Sequence, residues 1–209
     1  MDGRSTISWE TFFIMMAHVH PSPENRILNV LPWRPFVALA LFVHRVDDLP
    51  AGLYLLVRDP GQEPSLRQAL RPDFLWERPA SCPDPFPLYL LQKGDFRAAA
   101  RTISCHQDIA ADGAFALGML AEFDAGLNQY GAPFYPRLFW ETGLIGQILY
   151  LEAEAAGTRA TGIGCFFDDA MHEVLGISDH RWQSLYHFTV GGAVDDPRLQ
   201  TLPAYWHLK

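Results

Sequence analysis

The spacing of hydrophobic positions changes several times along the chain, and each change marks an element. From Ile7 to His18, Trp9, Phe12, Phe13 and Met16 recur at helical spacing. Ser8 stands as an N-cap before them, and Ile7 with Phe12 makes the pair expected of a hydrophobic staple. The stretch PSPENRILNVLPWRP is broken by four prolines and predicts a loop. Phe36 to Val43 (FVALALFV) is an unbroken apolar run of strand length, which predicts a central strand buried on both faces. A turn at Asp47 to Gly52 and a second strand at Leu53 to Val57 follow closely enough for a hairpin. Gly61 to Leu70 predicts a short helix, Pro79 to Pro87 a loop, and Leu88 to Gln92 a third strand.

In the second half, Asp108 to Phe123 reads as a helix with Ile109, Ala116, Leu120 and Phe123 near one face. Tyr135 to Ala156 predicts the longest helix. Leu138, Ile145 and Leu149 cover one face and Leu144, Ile148 and Leu151 the next, so deep burial is expected. Gly143 and Gly146 lie inside it, where each costs about 1 kcal/mol against Ala, so packing or a ligand must compensate. Gly157 is placed to end the helix. Arg159 to Gly164 reads as a short strand or extended loop, Asp168 to Leu175 as a helix capped by Asp168 and closed by Gly176, and Leu185 to Val190 as the last strand. The tail from 192 to 209 reads as an extended segment that wraps over a neighbour. Strands mixed with helices and partly joined by hairpins predict an α+β fold, a mostly antiparallel sheet covered by helices, in one domain spanning 1–209.

Composition narrows the function. At 49% hydrophobic and 19% charged, the 209 residues can bury a substantial core. The net charge of −8 and the absence of a basic patch argue against nucleic acid or an anionic membrane as partner. No apolar run reaches the ~18 residues of a membrane span. Cys82, Cys105 and Cys165 sit far apart in sequence, with no metal-binding spacing, and cannot all pair; with no apolar leader in MDGRSTISWE, they predict a reducing, cytoplasmic setting.

Familiar catalytic signatures are missing: there is no phosphate-binding GxxxxGK[ST] loop, no HExxH, no GxSxG and no strand–GxGxxG–helix unit. His18 and His20 lack further ligands at metal spacing, so no metal is expected. Cys105-His106 pairs a nucleophile with a base in sequence, but neighbours rarely point the same way. AAGTRATGIGCFFDDAMHEVLGI is more informative. Small residues at Gly162 and Gly164 let backbone lie flat against an aromatic ligand. On spacing alone the same stretch reads equally well as an ordinary β–α–β connection.

GTRATGIGCFFDDAMHEVLGI followed by YHFTVGGAVDDPRL resembles the C-terminal signature of the flavin-dependent nitroreductase superfamily. CHQDIA and the DDPRL tail are similar to the SagB-type dehydrogenases, which oxidise azoline rings to azoles in peptides. NRILNVLPW resembles the family's P-S-S-x-N-x-Q-P-W loop through Asn29 and Pro32-Trp33. The resemblance implies a homodimer with FMN in clefts between subunits, NAD(P)H as possible electron donor, and a small molecule or peptide as substrate. Gly162, Ile163, Gly164 and Cys165 then lie along the isoalloxazine ring, Arg26 and Asn29 belong to the loop reaching the partner's flavin, and the long helix forms the dimer core. No catalytic acid or base is implied; Tyr130, Tyr135 and Arg137 are candidate pocket residues. The R-x-S-x-R-like segment that holds the phosphate in the family belongs upstream of residue 1, and Ala204 and Trp206 replace common cations, leaving Arg198. A weak or lost FMN site is therefore expected, and with it an alternative function as a non-catalytic dimeric binding domain.

Overall fold

The computed structural model describes residues 1–23 and 25–208. Its centre is a six-stranded, fully antiparallel sheet in the order β3-β2-β1-β4-β6-β5. The strands are β1 (Val37–Val43), β2 (Gly52–Leu56), β3 (Leu88–Lys93), β4 (Phe115–Glu122), β5 (Arg159–Ile163) and β6 (Trp182–Gly191). Helices α1 (Trp9–Val19), α2 (Glu63–Ala69), α3 (Arg97–Ile103), α4 (Ile109–Asp112), α5 (Phe123–Tyr130), α6 (Tyr135–Ala155) and α7 (Asp168–Leu175) cover it.

Two cores follow from the period-2 alternation of the central strands. Leu39, Leu41 and Val43 of β1 and Phe115, Leu117 and Met119 of β4 pack beneath α1 and α6. Ala38, Ala40, Phe42, Ala116 and Leu120 point the other way, toward α2, α3 and α7. Every residue of β1 is buried, as its unbroken apolar run predicts. Ser8 caps α1 by accepting a hydrogen bond from Thr11 N at 3.2 Å, and its flanking Ile7 and Phe12 are both buried.

Three expectations are corrected. The predicted helix at Asp108 to Phe123 is one turn, α4, followed by the central strand β4. Its apolar residues fit a helical face by accident: ALGMLA is apolar at every position, and between β1 and β6 both faces are buried, which periodicity alone cannot distinguish from a buried helix. Asp168 is not the cap of α7; Phe167 holds that position without a side-chain bond, and Asp168 accepts only from Asp169 N. The two apolar faces of α6 are not both buried. Leu138, Ile145 and Leu149 of the first are buried; of the second, Ile148 is buried and Leu144 half-buried, whereas Leu151 (57%) is exposed. Gly146 lets the ring of Phe188 approach, while a side chain at Gly143 would meet nothing.

One buried ion pair ties the layers together. Glu141 on α6 accepts from the backbone N–H of Phe36 (2.9 Å) and Val37 (3.3 Å) at the start of β1, and is paired with Arg58. Arg58 donates in turn to Val19 O at the end of α1 and Val37 O. This fixes where α6 begins relative to the sheet, and Tyr135 and Phe139 on its first turns are placed by it.

Candidate active site

At the end of the edge strand β5 the chain leaves the sheet through Gly164, Cys165, Phe166 and Phe167 before entering α7. This segment borders a cavity of about 540 Å³ lined by Phe123, Tyr135, Phe139, Gly164, Phe166, Asp168, His180, Gln183, Ser184 and Leu185. The volume lies within the usual ~300–1,000 Å³ of small-molecule sites. Four elements meet there: the start of α5, the first turns of α6, the β5–α7 segment and the first strand residues of β6.

Each residue of the segment is fixed differently. Gly162 N donates to the hydroxyl of Tyr150 on α6 at 2.7 Å. A Cβ on Gly162 would lie 2.1 Å from the Tyr186 hydroxyl, so a side chain there would have to displace the Tyr186 ring. Ile163 is buried in the core beneath α7. Gly164 is exposed, and a Cβ there would meet only the Tyr186 ring at 4.0 Å. Phe166 packs on the ring of His187 at 4.4 Å. Phe167 N donates to Ile103 O, and Gln107 Nε2 to Cys165 O.

Beneath the cavity lies a small polar floor. Ser184 Oγ and His187 Nε2 are 2.8 Å apart, and the Nε2 of His172 accepts from Ser184 N at 3.1 Å. Burial pushes His187 down to about 3 and also lowers His172, so both rings are neutral at pH 7. Among the described lining residues there is no Arg or Lys, and Asp168 is one of them.

The structure brings Gly164 and Tyr135 together at this cavity, with Cys165 in the same segment. It does not bring Arg26, Asn29 or Arg198 there within one protomer. Arg26 borders a separate hollow with Ala17, His18, Ile148 and Glu152, and Asn29 donates to Ser22 O and Pro23 O. Arg198 lies in the exposed tail, forked onto Asp196. Tyr130 stacks on Phe134, and the Arg137 guanidinium lies over Trp33. Two of the three cysteines, distant in sequence, meet in space: Cys105 and Cys165 are joined in a disulfide, leaving Cys82 free. Phe123, Phe139, His180, Gln183 and Ser184 carry no local signature; only the assembled topology gathers them.

An antiparallel sheet clothed by helices, with an aromatic cavity at the end of an edge strand, defines a class of α+β proteins into which this chain falls. The nitroreductase family model matches residues 85–192, and the chain belongs to that family. A protein assigned as a nitroreductase from Anabaena variabilis shares the fold (TM-score 0.68, 22% identity, covering 91% of this chain and 35% of that one). So does a chain of the E. coli microcin synthetase McbBCD complex with truncated pro-MccB17 bound (TM-score 0.62, 16% identity, 92% and 66%). A third similar structure, assigned as a nitroreductase from Ralstonia eutropha, has a TM-score of 0.59 at 13% identity, with 92% and 77% covered. The chain thus spans about a third of the Anabaena protein's length and 66% of the microcin synthetase chain's. No curated protein matches it in sequence.

Proposed function

We propose that the protein is an FMN-dependent oxidoreductase whose flavin ring lies against the backbone at Gly164. The observation that carries this reading is the open face of Gly164 at the mouth of an aromatic cavity, on the one segment where the family resemblance is densest. Family membership supports oxidoreductase chemistry in general.

The residues present fit the ring better than the phosphate. A flat ring fits against Gly164, with Tyr135, Phe139 and Phe166 excluding water around it. Among the described residues of the lining there is no Arg or Lys to meet a phosphate, and a buried dianion without partners is costly. A flavin held here would supply hydride-transfer chemistry between NAD(P)H or a reduced substrate and an acceptor. The chain's own groups position it: Tyr150 holds the backbone at Gly162, and the Phe166–His187 contact supports the segment from below. Neutral His187 and Ser184 keep the floor uncharged. Arg26 and Asn29 serve the second subunit's site in the proposed homodimer, and Arg198 is the phosphate cation nearest in sequence to the expected position. A cytoplasmic location, and a peptide azoline or another small organic molecule as substrate, belong to the same proposal; the CHQDIA and DDPRL segments favour the azoline.

The cation-free lining favours a second reading, a non-catalytic dimeric domain that keeps the fold. NAD(P)H consumption, measured with added FMN and an organic acceptor, separates the two. The enzyme reading predicts flavin-dependent turnover that Gly164→Val removes. The binding-domain reading predicts no turnover above that of free flavin.

A further inference from the structure

We propose that Cys105 and Cys165 form a reversible dithiol–disulfide site that exchanges with thiols and, when oxidised, fastens the segment leading from β5 into α7. Their Cα atoms are 5.9 Å apart, the separation at which a disulfide forms without moving the backbone. The site joins two turns that are also linked by the Phe167 N–H to Ile103 O and Gln107 to Cys165 O bonds and by the edge-to-face contact of the His106 and Phe167 rings. Cys165 is exposed and Cys105 half-buried, so an attacking thiolate can reach the bond. Cys105 and His106 carry consecutive positive φ values of 53° and 59°, a backbone conformation that residues with a Cβ rarely hold. The bridge to Cys165 pins the first of them, so breaking it frees the turn to relax. Exposed disulfides of this sort are the labile ones.

The exchange involves two electrons and two thiols. A thiolate of a low-molecular-weight thiol attacks one sulfur and forms a mixed disulfide, releasing the other cysteine as a thiol. A second thiol then resolves it. Cys105 and Cys165 end as thiols, and the reductant leaves as its disulfide. Cys82 lies apart, against the Pro83 and Phe86 carbonyls, and takes no part. Because Cys165 directly follows Gly164, oxidation state sets how firmly the proposed ring-bearing backbone is held; this consequence rests on the flavin reading above.

The test uses the full chain equilibrated across ratios of reduced and oxidised glutathione, quenched with N-ethylmaleimide and weighed intact. The expected result is three adducts at the reducing end and one, on Cys82, at the oxidising end, with a cross-linked peptide containing Cys105 and Cys165. Hydrogen exchange over residues 162–167 should speed up on reduction, and in Cys105→Ser should be fast under both conditions. Three adducts throughout, glutathione adducts without the cross-link, or exchange indifferent to reduction would overturn the proposal. Thiol counts and exchange are read without flavin, and FMN binding is titrated separately, so failure of the flavin reading leaves this result legible.

Discussion

Glu141 shows what one residue can decide. It is a carboxylate in the interior whose oxygens are used by Arg58 and two backbone N–H groups. Removing one member of such a pair strands the other charge, at about 3–5 kcal/mol. Urea unfolding of Glu141→Ala should show a loss of that order, while the double replacement Arg58→Met with Glu141→Met should lose less; an equal or greater loss in the double variant would contradict the reading. His187 makes a pH prediction. Burial holds it at about 3 in the folded state, against ~6.5 when unfolded. As pH falls below ~6.5 the unfolded chain takes up a proton that the folded one refuses. Stability that is complete above that pH therefore drops by about 1.4 kcal/mol per unit toward pH 3. His44, pushed down by burial to about 4, acts with the same sign. Denaturation midpoints measured from pH 7 to pH 4 should fall less steeply in His187→Asn, by about one proton's slope; unchanged slopes would show that the ring titrates normally.

Among the elements, the β5–α7 segment separates two glycines that look alike in the sequence. Gly162 faces Tyr186 within the sheet, and Gly164 faces open space. Gly162→Val should lower the melting temperature sharply, whereas Gly164→Val should leave it nearly unchanged and remove flavin binding; the reverse pattern in thermal melts would exchange their roles. How far these elements were legible follows from where their stabilising contacts lie. β1, β2, β3 and α6 announce themselves by local runs, and α1 by its cap and staple. β4 does not: what makes ALGMLA a strand is pairing with Val37–Val43 and with Gln183–Val190, over 60 residues away on each side. The small helices α3 and α5 are too short for a clear period. The cavity was half legible. Gly162 and Gly164 stand in a recognisable motif, but Phe123, Phe139 and Ser184 come from three other elements, and nothing local marks them.

At the scale of the molecule, α6 leaves a group of large apolar side chains exposed. Trp140 and Leu151 are exposed on this helix, and Phe139 at the cavity and Tyr150 are partly so. A homodimer built on α6 should bury well above the ~2,000 Å² at which obligate interfaces begin. Sedimentation should therefore show a dimer at micromolar concentration, and Trp140→Glu with Leu151→Glu should yield monomers; a parent chain that sediments as a stable, folded monomer would contradict this. The most direct measurement is a titration of the purified chain with FMN and with riboflavin, followed by quenching of flavin fluorescence. Saturable binding of one flavin per chain is expected, with FMN favoured by less than about tenfold because no Arg or Lys is among the described lining residues; a single charge-assisted hydrogen bond to the phosphate would already supply about that factor. Gly164→Val should abolish both curves. No saturable binding of either flavin, or equal binding by Gly164→Val, would contradict the central claim that a flavin ring is held at this segment.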